Sequence, residues 1–326
     1  MKINKSNRVQ NILGIDYPIV QAPMNWITNA EMVAAVSNAG GLGILGFNAG
    51  PDAKDDNVPL SQKIRNEIRE IQSLTDKPFG INLYSPPEGT EVDNVFVRTT
   101  LNVAFEEGVK IIVAVGEVNR NIFREIKERN GVIIFRELNP TVSSAKIAEE
   151  NGVDIIVATG YDEGGHIPQR AIGTFSIVPT IVDAVKIPVL ATGGINEVRG
   201  VRAAFALGAE GVFVGTRFIV SEECPASDEA KQDIILSKAE DLLMVSSLQR
   251  STPHKSAREF ADMYKNGISS DDVEAEITKR GGIRTGMLDG KVEEGIVSVN
   301  TAIDSIKEIK SVEGIVKDLM ADFLEK

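Results

Sequence analysis

The sequence predicts a (β/α)8, or TIM, barrel carrying a helical C-terminal extension, and three observations lead there. Eight short apolar, β-branched runs alternate with stretches of helical length, the pattern of βαβ units with a buried parallel sheet. Five junctions share one punctuation, a glycine just past the helix and then direct entry into a strand: Asn38-Ala-Gly-Gly-Leu, Glu107-Gly-Val-Lys-Ile, Asn130-Gly-Val-Ile-Ile, Asn151-Gly-Val-Asp-Ile and Leu207-Gly-Ala-Glu-Gly-Val. Glycine reaches the left-handed conformation that ends a helix, so these read as short αβ turns at one end of a barrel. The first strand runs into Gln21-Ala-Pro-Met-Asn-Trp, without the G-x-G-x-x-G fingerprint ordinarily expected of an open doubly wound sheet, the structural alternative.

In chain order, apolar runs predict strands over 18–23, 42–45, 79–83, 110–114, 132–135, 154–158, 188–191 and 211–214. Helical patterns lie between them over 29–39, 61–74, 94–107, 120–130, 141–151, 175–185 and 198–207. The loop richest in turn residues, 46–60, follows the second strand and is placed to cover the barrel mouth. After Phe218 the pattern changes: 221–252 and 256–280 read as polar, helical and strand-free. Ile303, Ile306, Ile309, Val312, Ile315, Leu319 and Phe323 recur at helical spacing, predicting one or two terminal helices over 301–324. No linker is rich enough in Pro, Gly or Ser to separate independent domains, so the expected division is a barrel over 1–220 with an extension over 221–326 packed on it.

Composition narrows the function. The chain has 326 residues, 42% apolar and 25% charged, which is ordinary for a folded globular protein and excludes disordered or low-complexity scaffolds. With 35 Lys and Arg against 47 Asp and Glu the net charge is −12, unfavourable for nucleic acid or anionic lipid. Cys224 is the lone cysteine and His166 and His254 are the only histidines, which rules out an intrachain disulfide and a structural zinc site. Residues 1–10 lack the apolar core of a signal peptide, and no run approaches the about 18 apolar residues of a membrane span, so a cytoplasmic protein without a membrane partner is expected.

Four segments fall at the carboxyl ends of predicted strands, where barrel enzymes build their sites. Ala191-Thr-Gly-Gly-Ile and Val214-Gly-Thr-Arg-Phe close the seventh and eighth strands, the loops that often bind phosphate through backbone N–H groups. Gly193, Gly194, Gly215 and Thr216 are therefore phosphate candidates, against the plainer reading of two tight turns. Ala158-Thr-Gly-Tyr-Asp-Glu-Gly-Gly-His-Ile leaves the sixth strand; a lone histidine is more often structural, but Gly164 and Gly165 allow a ligand close approach. Asp162 and Glu163 are placed to tune the His166 pKa, so this histidine is the acid–base candidate, whereas His254 reads as a solvated surface residue. In Gln21-Ala-Pro-Met the proline stiffens the backbone and Met24 can lie against a flat ring, and Asn82, read as the end of the third strand, offers the donor and acceptor a heteroaromatic edge requires. Both also fit a bland loop and a core-edge amide. Cys224 lacks a partner at catalytic spacing, and residues 127–130 and 307–310 read as solvated helix faces.

These segments together resemble the nitronate monooxygenase family, formerly the 2-nitropropane dioxygenases, which includes the FMN-dependent enoyl-acyl-carrier-protein reductases II. The likeness runs from Ile15-Asp-Tyr-Pro-Ile-Val-Gln-Ala-Pro-Met through Ala39-Gly-Gly-Leu-Gly, Lys77-Pro-Phe-Gly-Ile-Asn and the Gly-Gly-His loop to Gly290-Lys-Val-Glu-Glu-Gly. It implies a barrel holding FMN noncovalently, with Ala22, Pro23 and Met24 on the ring, Asn82 at its polar edge, Gly164 and Gly165 lining it, Gly193, Gly194, Gly215 and Thr216 at the phosphate, and His166 near flavin N5. Asp162 stands where the family's loop carries Glu, Pro168 where it carries Gly, and Asn300-Thr301 where it carries Gly-Gln.

The resemblance implies an oxidoreductase that converts small alkyl nitronates with O2 to a carbonyl compound and nitrite. The alternatives are an NAD(P)H-dependent enoyl-acyl-carrier-protein reductase and a flavin-binding protein without turnover. Net charge mildly disfavours an acidic carrier protein, leaving a small-molecule substrate as the expected partner and a homodimer open.

Overall fold

The computed structural model describes residues 7–90 and 95–324; the expected helix start at 94 and the opening residues 1–6 lie outside them. Helix α1 (Arg8–Leu13) precedes eight strand–helix units: β1 (Ile19–Gln21), α2 (Ala30–Asn38), β2 (Gly43–Leu45), α3 (Leu60–Leu74), β3 (Phe79–Ser85), α4 (Val95–Glu106), β4 (Ile111–Gly116), α5 (Arg120–Glu128), β5 (Val132–Glu137), α6 (Val142–Glu150), β6 (Ile155–Thr159), α7 (Thr174–Val182), β7 (Val189–Thr192), α8 (Val198–Ala206), β8 (Gly211–Val214) and the short α9 (Thr216–Ile219). All neighbouring strands pair in parallel, in the order β1, β8, β7, β6, β5, β4, β3, β2. The Val20–Leu42 bridge joins the two ends, with Gln21 N donating to Leu42 O at 2.9 Å, and the sheet closes as a (β/α)8 barrel.

Closure buries both faces of every strand, which is why the strands read as continuous apolar runs. Val20, Ile44, Val113, Ile134, Val157, Leu190 and Phe213 fill the interior, while a second, larger cluster packs strands against helices. Val9 and Leu13 of α1 join the interior cluster, and Asn7 Nδ2 donates to Glu210 O beside the start of β8, so α1 plugs the amino end. The sequence reading lacked this helix because six residues are too short for a periodic signal.

Four of the five repeated turns end in a left-handed glycine: Gly40, Gly108, Gly152 and Gly208, at φ 92°, 82°, 87° and 94°. At the fifth, Asn130 takes that conformation at φ 57°. Gly131 serves close approach instead, since a Cβ there would lie 2.5 Å from Ile126 Cγ2.

Helices α10 (Asp228–Leu236), α11 (Lys255–Lys265) and α12 (Ser270–Lys279) follow, with α13 (Val312–Leu319) and α14 (Ala321–Leu324) at the end. Two expectations fail here. Strands β9 (Leu243–Met244) and β10 (Arg250–Ser251) form an antiparallel pair, so the region is not strand-free; two residues per strand are too few to alternate visibly. The terminal helices begin only at Val312, because 301–311 forms a 3-10 turn (Ile303–Ser305) and an extended stretch paired to Ser221; residues 307–310 are therefore not a helix face. Among the described residues no helix is long and apolar enough to cross a membrane.

His254 is a further correction. Its side chain is 17% exposed, with Nε2 2.7 Å from Asp233 Oδ1 and Nδ1 3.3 Å from Glu293 Oε1. The Asp233 contact holds its pKa above the ordinary value, outweighing partial burial. The folded chain therefore keeps this proton more tightly than the unfolded chain. Its stabilisation is complete below the unfolded value of about 6.5 and fades as pH rises through the raised folded value. His254→Gln should flatten that part of the melting temperature–pH curve; an unchanged slope would remove the imidazolium from the account.

Candidate active site

The strand ends surround a cavity of about 320 Å³. Ala22, Pro23 and Met24 follow β1, Gly164, Gly165 and His166 leave β6, Gly193 and Gly194 follow β7, and Gly215 and Thr216 follow β8; all ten line it, as does Asn82. Asn82 sits within β3 rather than at its end, because that strand continues to Ser85. Phe47, from the loop expected over the mouth, and Met287, from a π-helical turn (Arg284–Leu288) in the extension, complete the wall. Lys54 pairs with Asp289 and the Arg284 guanidinium stacks on Trp26, tying the extension to the barrel loops.

The β6 loop owes its shape to buried charge. Glu163 is 6% exposed and accepts from Arg136 Nη2, which also donates to His166 O at 2.8 Å. Arg250 Nη1 donates to Glu163 O at 2.6 Å and its Nη2 to Tyr161 O at 2.8 Å. Gly165 N donates to Ser298 Oγ at 3.0 Å, and Ile167 N to Leu248 O at 2.9 Å. The extension thus fixes the loop that carries the histidine.

The acidic pair does not tune His166 as expected. Glu163 is committed to Arg136, and Asp162 accepts from Thr174 N at 2.7 Å and Thr174 Oγ1 at 2.9 Å. Burial first, then the Arg136 charge, pull the imidazole down to about 4. Around neutrality His166 is an uncharged acceptor and weak base, with Arg136 as the adjacent cation. The sequence missed Arg136 because Phe135-Arg-Glu reads as an ordinary strand end; an arginine after an apolar strand was the available signal.

Several backbone sites leave room for a ligand. A Cβ at Gly165 (φ 77°) would meet nothing within 4 Å, and Gly194 has φ 69°. Gly164 lines the cavity for another reason: a Cβ there would lie 2.6 Å from Val299 C, so loop packing excludes a side chain. Thr216 Oγ1 accepts from Asn300 N at 3.1 Å, and Asn300 pairs its amide with Asn196 at 2.8 and 2.9 Å. Among the described residues Asn82 Oδ1 is buried without a partner. Cys224 is buried and its thiol is pushed up to about 11, which removes it as a nucleophile.

Probable nitronate monooxygenases of Staphylococcus haemolyticus (strain JCSC1435) and Staphylococcus aureus (strain MRSA252) are 34% and 32% identical to this chain. The matches cover 84% and 83% of it and 85% of each relative. FabK from Thermotoga maritima superposes with a TM-score of 0.84 at 31% identity, over 98% of this chain and 96% of that one. A nitroalkane oxidase from Streptomyces ansochromogenes shares the fold, with a TM-score of 0.79 at 21% identity over 97% and 98% of the two chains. The profile of the family described as nitronate monooxygenase matches residues 6–322. With nearly its whole length so matched, this protein belongs to the nitronate monooxygenase family of oxidoreductases.

Proposed function

We propose that this protein is an FMN-dependent oxidoreductase that oxidises small alkyl nitronates with O2 to a carbonyl compound and nitrite. The observation that carries the reading is His166 in the wall of the cavity beside Arg136, which donates to its backbone carbonyl at 2.8 Å. The residues fit a flavin: Asn82 offers an orphaned acceptor, Gly165 leaves open space, and the left-handed turn at Gly193-Gly194 permits close approach to an anion. Ala22, Pro23 and Met24 would lie on the ring, and Gly193, Gly194, Gly215 and Thr216 would hold the phosphate. Bound FMN supplies the redox chemistry with O2. The chain's own part is to orient substrate, exclude water beneath Phe47 and Met287, and take at His166 the proton of a neutral nitroalkane.

Propionate 3-nitronate and O2 test this directly: nitrite release with matching oxygen uptake is expected, and rates no higher than free flavin would reject it. The likeness to FabK keeps an NAD(P)H-dependent enoyl-thioester reductase as the rival. Anaerobic mixing separates them, since bleaching of the flavin by nitronate but not by NADH or NADPH is expected here. Colour without activity in either assay would leave a flavin-binding protein.

Asn82→Leu has a split outcome. Removing a buried amide oxygen that has no partner among the described residues should leave the flavin-free protein as stable or more so, while FMN affinity falls about tenfold through one lost hydrogen bond of about 1.4 kcal/mol. Flavin titration with thermal melting checks both arms. Unchanged affinity would move Asn82 away from the ring.

A further inference from the structure

We propose that Arg136 binds the anionic end of the substrate, so that the cavity selects nitronates and carboxylates over neutral molecules of the same shape. This rests on the cavity being a substrate site and names the chemistry it recognises.

Arg136 lies within β5, next to its last residue, and lines the cavity, 8% exposed. Among the described residues its hydrogen bonds all leave from Nη2, to Glu163 Oε1 and to His166 O. Nη1 and Nε make no hydrogen bond among the described residues and are not fully buried. The guanidinium is held on one side and unspent on the other.

Arg136 is ion-paired with Glu163 through Nη2 only, and Arg250, which bonds the backbone carbonyl of Glu163, lies in the field of Asp162 as well as Glu163. Arg250 is engaged by two backbone carbonyls and stacked on Tyr161. Asp162, the next carboxylate along the loop, is turned to Thr174. Uncharged His166 supplies no second cation. An incoming anion therefore finds one immobile, partly desolvated positive group with free N–H donors, the setting in which charge-assisted hydrogen bonds are strongest. It finds that group bonded to the backbone of the histidine assigned to proton transfer. The same charge stabilises a nitronate as it forms and so compensates for a weak base.

The test compares propionate with propionamide, an isosteric anion and neutral, by ligand-detected NMR on the protein as purified, with no turnover involved. Wild type should bind propionate at least tenfold tighter. Arg136→Gln combined with Glu163→Gln, which removes both members of the buried pair together, should bring the ratio to about one. A double variant that melts near wild type and keeps the preference overturns the proposal, as does a wild type without one. If the double variant does not fold, Arg136→Lys decides, because its ammonium is consumed by Glu163 and His166 O: propionate binding at least fivefold weaker supports the proposal, and wild-type affinity overturns it. Failure of nitrite release with the anion preference intact would reject the oxidase reading and leave this one standing.

Discussion

Replacing His166 with alanine should lower turnover of a neutral nitroalkane by about 10²- to 10⁴-fold, the usual worth of a positioned general base, while FMN stays bound. Preformed nitronate needs no proton removed, so its turnover should fall less than about tenfold. The pH dependence carries the sharper signature. An unperturbed histidine stops accepting protons as pH falls through about 6.5. Burial and then Arg136 hold His166 down to about 4, so its basic form persists through mildly acidic pH and the nitroalkane rate should fall only near that lower value. Nitrite release from both substrates, followed from about pH 4 to 9, separates the roles. Equal losses on nitroalkane and nitronate would show that the histidine positions substrate without moving a proton.

Glu163→Ala should destabilise the protein by about 3–5 kcal/mol, because it leaves Arg136 buried without its paired carboxylate, while Arg250 keeps its bonds to the Glu163 and Tyr161 carbonyls. The partners are 7% and 9% exposed in the Glu163–Arg136 pair, too enclosed for water to replace the lost charge. For a chain of this size the melting temperature should drop on the order of 10 °C. Glu163→Gln preserves the packing and an acceptor oxygen, and should cost less than half as much. Calorimetry on the two variants and wild type checks the order. An alanine variant melting within a degree or two of wild type would show that the β6 loop is held by Ser298 and Leu248 instead.

Much of this site was legible because backbone demands leave marks on composition. The loop after β7 turns with positive φ at Gly193 and Gly194, Gly193 also lying against Thr174, and glycines at the ends of β7 and β8 mark such turns in the sequence. His166 stood out because histidines are scarce and two glycines precede it. What lay hidden was each residue's electrical environment. Asp162 and Glu163 are sequence neighbours of His166, yet the chain turns one to Thr174 and the other to Arg136, 27 residues away. Arg250 and Ser298 reach the same loop from the extension, and no spacing rule connects such distant positions.

By itself the sequence determined the barrel: strands buried on both faces must be apolar throughout, and turns with positive φ must carry glycine or, at Asn130, asparagine. It also determined which end of the barrel carries the cavity, since the glycine-rich loops mark the carboxyl ends of strands. Only the tertiary structure decided the charge state of the groups that line it. A pKa depends on distance through space and on exclusion of water, and both were set when Leu248, Arg250 and Ser298 packed on the β6 loop and Met287 joined the cavity wall. That packing turned a histidine expected to titrate near neutrality into a neutral one, and made Arg136, an unremarked strand residue, the cation beside it.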